Sequence, residues 1–269
     1  LLNAASAAGI LAGRLGLSGA LSIWSVGSAV SIVALGAVYA AIPAIFVPAS
    51  VASLPADSAR TSETKQHSSK FRILPRREDL RIRGMWAVYL GTFIRNIGVA
   101  GFISISALYM KEGIGLSESH SMLVAGIDPL FMFIAHLYFG RRMIAFGIKR
   151  TMILGTLVTI LSFTSFLLAS TWILTILGWV CIGFAYGAFH NASVTFVSLY
   201  FPPARRGEGI GYVWTANTLG IMLGPVIAGA TAEVSYSLML LTMIAFSAGG
   251  LLVLWFFVSK DEGAGGEQP

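Results

Sequence analysis

Residues 172–201 read WILTILGWVCIGFAYGAFHNASVTFVSLYF, thirty positions without a lysine, arginine, aspartate or glutamate. A helix crossing a bilayer needs about 20 mostly apolar residues. This stretch is long enough, and its glycines and small residues are those that let membrane helices approach closely. It predicts a transmembrane helix, and it is not alone.

Seven more apolar segments flank it, at 1–17, 20–47, 85–110, 119–139, 151–170, 210–231 and 235–259. Across the chain 56% of residues are apolar and 11% are charged. A soluble domain carries about 25% charged residues, so this composition excludes a water-soluble fold. The chain is expected to be an all-α, polytopic helical bundle in a membrane. Its single cysteine, Cys181, rules out an intramolecular disulfide framework.

The basic residues orient the segments. Residues 50–84 form a polar stretch holding Arg60, Lys65, Lys70, Arg72, Arg76, Arg77, Arg81 and Arg83. Alternate later connections carry Arg141, Arg142, Lys149 and Arg150, then Arg205 and Arg206, then Lys260. That side holds 15 of the 18 basic residues, against Arg14 and Lys111 on the other, and so is predicted to be cytoplasmic. The net charge of +6 therefore reports membrane orientation, with lipid as a partner, rather than a nucleic-acid-binding face.

Two stretches resemble motifs of a known family. The connection Gly140-Arg-Arg-Met-Ile-Ala-Phe-Gly147-Ile-Lys149-Arg150 is similar to the major facilitator signature G-x-x-x-D-R-x-G-R-[RK] in its glycines and Lys149. It departs at Ile144, Ala145 and Ile148. Gly220-Ile-Met-Leu-Gly224-Pro225-Val-Ile-Ala-Gly229 resembles the family's G-x-x-x-G-P-x-x-G-G, with Ala228 for one glycine. The preceding FPPARRGEGIG looks like the loop before that helix. Gly9 and Gly13 repeat the theme in the first segment.

The resemblance to the major facilitator superfamily implies twelve helices in two six-helix halves. It places the eight segments as helices five to twelve, with an N-terminal part expected upstream of Leu1. Residues 1–49 would then end the first half, 50–84 would be the central cytoplasmic loop, 85–259 the second half, and 260–269 a cytoplasmic tail. It also implies secondary active transport of a small-molecule solute by alternating access. The exporter-like glycine-proline motif suggests efflux of a small organic compound, coupled to protons, at the cell membrane.

Charges within a bilayer cost about 2.5–3.5 kcal/mol each on insertion scales and mark candidate functional sites. Arg95 and Asp128 lie at similar depth on consecutive, antiparallel segments. Either a solute or proton site or a structural ion pair fits them, and Pro129 is expected to loosen the helix beside Asp128. Asn96, Asn191, Asn217 and Trp214 are further candidates for the solute path, although intramembrane amides also serve helix packing. His190 can titrate near neutral pH but fits a packing role. His136 falls on roughly the face of Asp128, toward the cytoplasmic surface.

Gly220, Gly224 and Pro225 suit a packed, bent helix, and Gly140, Gly147, Lys149 and Arg150 a conformational or lipid-facing loop. The four histidines show no metal-ligand spacing, and no cofactor motif or catalytic constellation is present. A membrane-embedded enzyme or a non-transporting sensor or scaffold are the rival classes.

Overall fold

The structure, a computed structural model, describes Pro75 and residues 77–259. The two expected helices within 1–49, most of the 50–84 loop and the 260–269 tail lie outside the described residues.

The described chain is helical throughout. A short helix α1 (Arg77–Arg81) leads through a 3₁₀ turn (Ile82–Gly84) into α2 (Met85–Leu108), which ends in a π turn (Tyr109–Gly113). Then come α3 (Glu118–Ala125), α4 (Ile127–Phe146), α5 (Ile148–Leu167), α6 (Trp172–Tyr200), α7 (Arg206–Ala232) and α8 (Tyr236–Phe257). Helices α3 and α4 together make one crossing, so six crossings are long and apolar enough to span a membrane among the described residues.

The bundle is apolar outside and partly polar inside. On α5, Leu157 and Leu161 face outward, 46% and 52% exposed, while Thr151, Thr156, Thr159 and Ser162 are fully buried. The threonine hydroxyls donate back to carbonyls one turn earlier, Thr156 to Met152 and Thr159 to Gly155, each at 2.9 Å. Ser162 instead donates to Gly178 of α6 at 2.7 Å. Water would drive the leucines inward. Hydrocarbon does not, and polar side chains turn inward to find partners.

Contacts between connections define two ends. At one, Ser259 N donates to the Arg83 carbonyl (3.2 Å), Lys149 donates to the Trp255 carbonyl (2.8 Å), and Arg205 pairs with Asp79 (2.8 Å). At the other, Tyr236 donates to Glu112 (2.6 Å) and Tyr109 to the Phe166 carbonyl (2.5 Å). The alternation expected for segments three to eight therefore holds, with the basic connections gathered at the first end.

One boundary differs. Residues 140–146, expected in a connection, continue α4 as helix, and the reversal is made by Gly147 alone at φ 99°. Arginines 141 and 142 end the apolar run without ending the helix. Met143 is still buried against the core, so the helical pattern outlasts the hydrophobic one. The left-handed φ at the turn needs a residue without Cβ.

Helix α2 packs chiefly on α7 and α8, and α6 on α4 and α5. Helices α8 and α5 join the two groups at the back, whereas α2 and α6 touch only lightly. That leaves a groove in front, between α2, α4, α6 and α7.

Candidate functional site

The groove deepens into a cavity of about 440 Å³ lined by four helices. Its walls are mostly apolar: Val99, Ala100 and Ile103 from α2, Met132 from α4, Ile182 from α6, and Ile221 and Pro225 from α7. Its polar side chains are Asn96, Ser104, Asp128, His136, Tyr186, His190, Trp214 and Asn217, and Asp128 is the one Asp, Glu, Lys or Arg in the lining.

Glycines set the positions of the walls. A Cβ added at Gly224 would lie 2.6 Å from both Gly101 N and the Ile97 carbonyl. One added at Gly220 would lie 2.8 Å from Asn96 Cβ. The α2–α7 seam therefore closes backbone to backbone, and it brings Asn96 Nδ2 to donate to Asn217 Oδ1 at 2.8 Å. On the other side, Gly183 backs onto the Asp128 carbonyl, and a Cβ at Gly187 would meet the Met132 carbonyl at 2.8 Å. These two glycines dock α6 on α4. Their spacing, Gly183-x-x-x-Gly187, is a readable small-residue pattern that singling out the Gly220–Gly224 pair passed over.

Asp128 sits where α3 passes into α4. Gly126, at a helical φ of −64° and bonded to the Met122 carbonyl at 2.9 Å, links the two, and Asp128 and Pro129 fall in the first turn of α4. Proline is tolerated there because the first amides have no intrahelical acceptor. Asp128, 8% exposed, is thus buried beside Pro129 within the α3–α4 crossing.

The sequence candidates separate. Asn96, Asp128, Trp214 and Asn217 line the cavity; Arg95 and Asn191 do not. Arg95 is fully buried behind α2, where Nη2 donates to Thr159 of α5 at 2.8 Å and the guanidinium lies 4.4 Å from the centre of the Phe189 ring. Its Nε and Nη1 have no hydrogen-bond partner among the described residues. Tyr186 lies within electrostatic range of both Arg95 and Asp128.

Asn191 acts from behind the wall, paired with His136: its Oδ1 is 3.0 Å from His136 Nδ1 and its Nδ2 donates to the His136 carbonyl at 3.2 Å. His190 stacks on Tyr186 with centroids 5.7 Å apart and meets Trp214 edge-on at 4.7 Å. Both histidines line the cavity, and His190 is at the same time packed between aromatic rings. The signal for His190 was its i,i+4 relation to Tyr186.

The conformational-motif residues also sort by contact. Lys149 Nζ donates to the Trp255 and Val258 carbonyls, at 2.8 and 2.5 Å, covering the C-terminal end of α8. Arg150 is exposed, and a Cβ at Gly140 would meet nothing within 4 Å. Sequence reasoning overlooked a network at the same end. Arg205 grips the buried Asp79 with two bonds (3.1 and 2.8 Å) and Glu208 with a third (2.7 Å), and Tyr212 donates to Glu208 at 2.6 Å.

Residues 88–268 match the family model described as Major Facilitator Superfamily. The fold is similar to crystal structures of a point mutant of the peptide transporter POT, one in complex with alafosfalin and one with sulfate. Each has a TM-score of 0.58 and 19% identity, with 64% of this chain covered. The match spans 38% and 37% of those chains, so this chain corresponds to well under half of their length. No curated protein matches the sequence.

Proposed function

The chain belongs to the Major Facilitator Superfamily, and we propose that the whole protein moves a small organic solute by alternating access, with the α2–α4–α6–α7 cavity as this half's share of the solute path. One observation carries the reading. A largely apolar cavity within a bundle of six crossings presents a carboxylate, two imidazoles and two amides from four different helices. Ligand sites combine apolar walls with a few placed polar groups in this way, and charged groups at membrane depth mark solute or ion paths.

The chemistry of the wall favours an amphipathic solute with a positive charge. Asp128 supplies the counter-charge, and Trp214 and Tyr186 supply aromatic faces that attract cations. Efflux, driven by exchange with protons, is the direction suggested by the exporter-like Gly224-Pro225 motif. The end bearing Arg83, Lys149 and Arg205 faces the cytoplasm, where the exposed Arg141, Arg142 and Arg150 meet anionic lipid headgroups.

The test is transport by the full-length protein in sealed liposomes, with ethidium as a planar aromatic cation beside neutral and anionic dyes of similar size. Gradient-driven, ATP-independent flux of ethidium, much reduced in Asp128→Asn, is expected. No flux of any dye under any imposed gradient would overturn the reading. Sidedness is checked separately by single-cysteine labelling in a Cys181→Ser background. Labelling of positions 83 and 115 from the same face would contradict the threading.

A further inference from the structure

Two imidazoles stand on the cavity wall, His136 from α4 and His190 from α6, with ring centroids 6.3 Å apart and planes at 86°. They are only 7% and 6% exposed. Buried polar groups are normally satisfied, yet these rings are satisfied unequally. His136 has Asn191. The Asn191 Nδ2 donates to the His136 carbonyl, an oxygen that can only accept, which fixes which way the amide points. Oδ1 must then face His136 Nδ1, so Nδ1 carries the hydrogen. In the neutral ring the lone pair is left at Nε2, which has no hydrogen-bond partner among the described residues. A proton added there leaves the Asn191 bonds intact, because an imidazolium donates from both nitrogens. His190 is held by its rings alone, between Tyr186 and Trp214, and neither of its ring nitrogens has a hydrogen-bond partner among the described residues.

We infer that His136 and His190 form a proton-binding pair on the cavity wall, that Asn191 is the positioning residue keeping His136 ready to accept at Nε2, and that a proton held by the pair is exchanged for the solute. The inference rests on the cavity being the solute path. One imidazole takes a proton from water on one side of the membrane and the imidazolium returns it to water on the other, so each cycle closes with the protein's protons unchanged. Arg95 of α2, behind the wall, lies within electrostatic range of His190, and the pair shares the cavity with Asp128 of α4 and Tyr186 of α6. Helix α7 presents Trp214 and Asn217, neither of which titrates.

Trp214 reports on the pair without any solute. A protonated imidazole edge-on to an indole quenches its emission; a neutral one does so far less. In the full-length protein, the emission difference between wild type and Trp214→Phe is expected to fall as the pH is lowered from about 8 to 5, the range of an imidazole. The step should be lost in His190→Gln, and also in His190→Phe, which keeps the ring packing against Tyr186 and Trp214. Asn191→Leu should move the step along the pH axis.

In liposomes an imposed pH gradient should drive ethidium uphill with wild type. The double variant His136→Gln/His190→Gln should lose that accumulation, and its Trp214-dependent emission should no longer change between about pH 8 and 5. An acid step that persists in the double variant, or uphill ethidium movement by it, overturns the inference. An acid step present in a wild type that moves ethidium under no gradient overturns the exchange and the transport reading, and leaves proton binding by the pair standing.

Discussion

Gly224 on α7 lies against the backbone of Gly101 on α2, so close that a Cβ at Gly224 would stand 2.6 Å from the Gly101 amide nitrogen. The contact is backbone on backbone, with no flexible side chain to yield. Gly224→Ala is therefore expected to push the two helices apart and lower stability by about 1–3 kcal/mol, the usual penalty of overpacking. Gly229, five residues on and part of the same sequence motif, meets nothing within 4 Å. Gly229→Ala should stay within about 0.5 kcal/mol of wild type. Thermal unfolding of the two variants in detergent separates them, and equal losses would mean the motif acts through something other than the α2–α7 seam.

Lys149 ties the α4–α5 turn to the end of α8. Lys149→Met removes a charged donor from two carbonyls that have no helical partner, Trp255 and Val258. A loss of about 1 kcal/mol is expected, low in the range for charged hydrogen bonds because the site is half-open to solvent. Arg150→Met, next door and exposed, should change stability by less than about 0.5 kcal/mol. Hydrogen exchange in residues 255–259 should speed up in the first variant alone.

The grip of Arg205 on Asp79 joins the start of the described chain to the α6–α7 connection. Asp79 is 4% exposed, so Arg205→Met strands a buried carboxylate. Loss of such charged bonds costs about 1.5–3 kcal/mol. The double variant Arg205→Met/Asp79→Asn should recover a large part of it, because no buried charge is then left uncompensated. A double-mutant cycle on unfolding temperature checks this, and strict additivity would show that the pair contributes little.

Depth was legible in the sequence, and direction was not. The six described crossings could be read because charged clusters interrupt apolar runs, and Asp128 stood out as a charge inside one. Where the helix outlasted the apolar run, at 140–146, hydropathy placed the boundary too early. Arg95 and Asn96 were both candidates for the solute path, yet adjacent helical residues point about 100° apart. Asn96 faces the cavity and Arg95 faces Thr159 and Phe189. The same step separates His190, on the wall, from Asn191 behind it. Which of two neighbours faces inward depends on how α6 packs on α4, and that is set by Gly183 and Gly187, whose role shows only once the partner helix is in place.

Arg95 poses the sharpest test. It is fully buried, one of its nitrogens bonds Thr159, and two have no hydrogen-bond partner among the described residues. The Phe189 ring face offsets part of the desolvation. A cation in low dielectric with incomplete hydrogen bonding does not stabilise the state it sits in. Arg95→Met, of similar length and apolar, is therefore expected to hold or raise the unfolding temperature of this conformation. If the arginine is retained for the transport cycle, where helix movements give its free nitrogens other partners, the same substitution should abolish gradient-driven ethidium flux. Arg95→Lys keeps the charge but loses the planar fork, and should recover flux only in part. Thr159→Val removes the one hydrogen bond that Arg95 makes among the described residues and should lower stability, because it leaves a third nitrogen unsatisfied. The opposite pattern, a large drop in unfolding temperature for Arg95→Met with flux preserved in the protein that folds, would make Arg95 a structural residue and remove it from the mechanism.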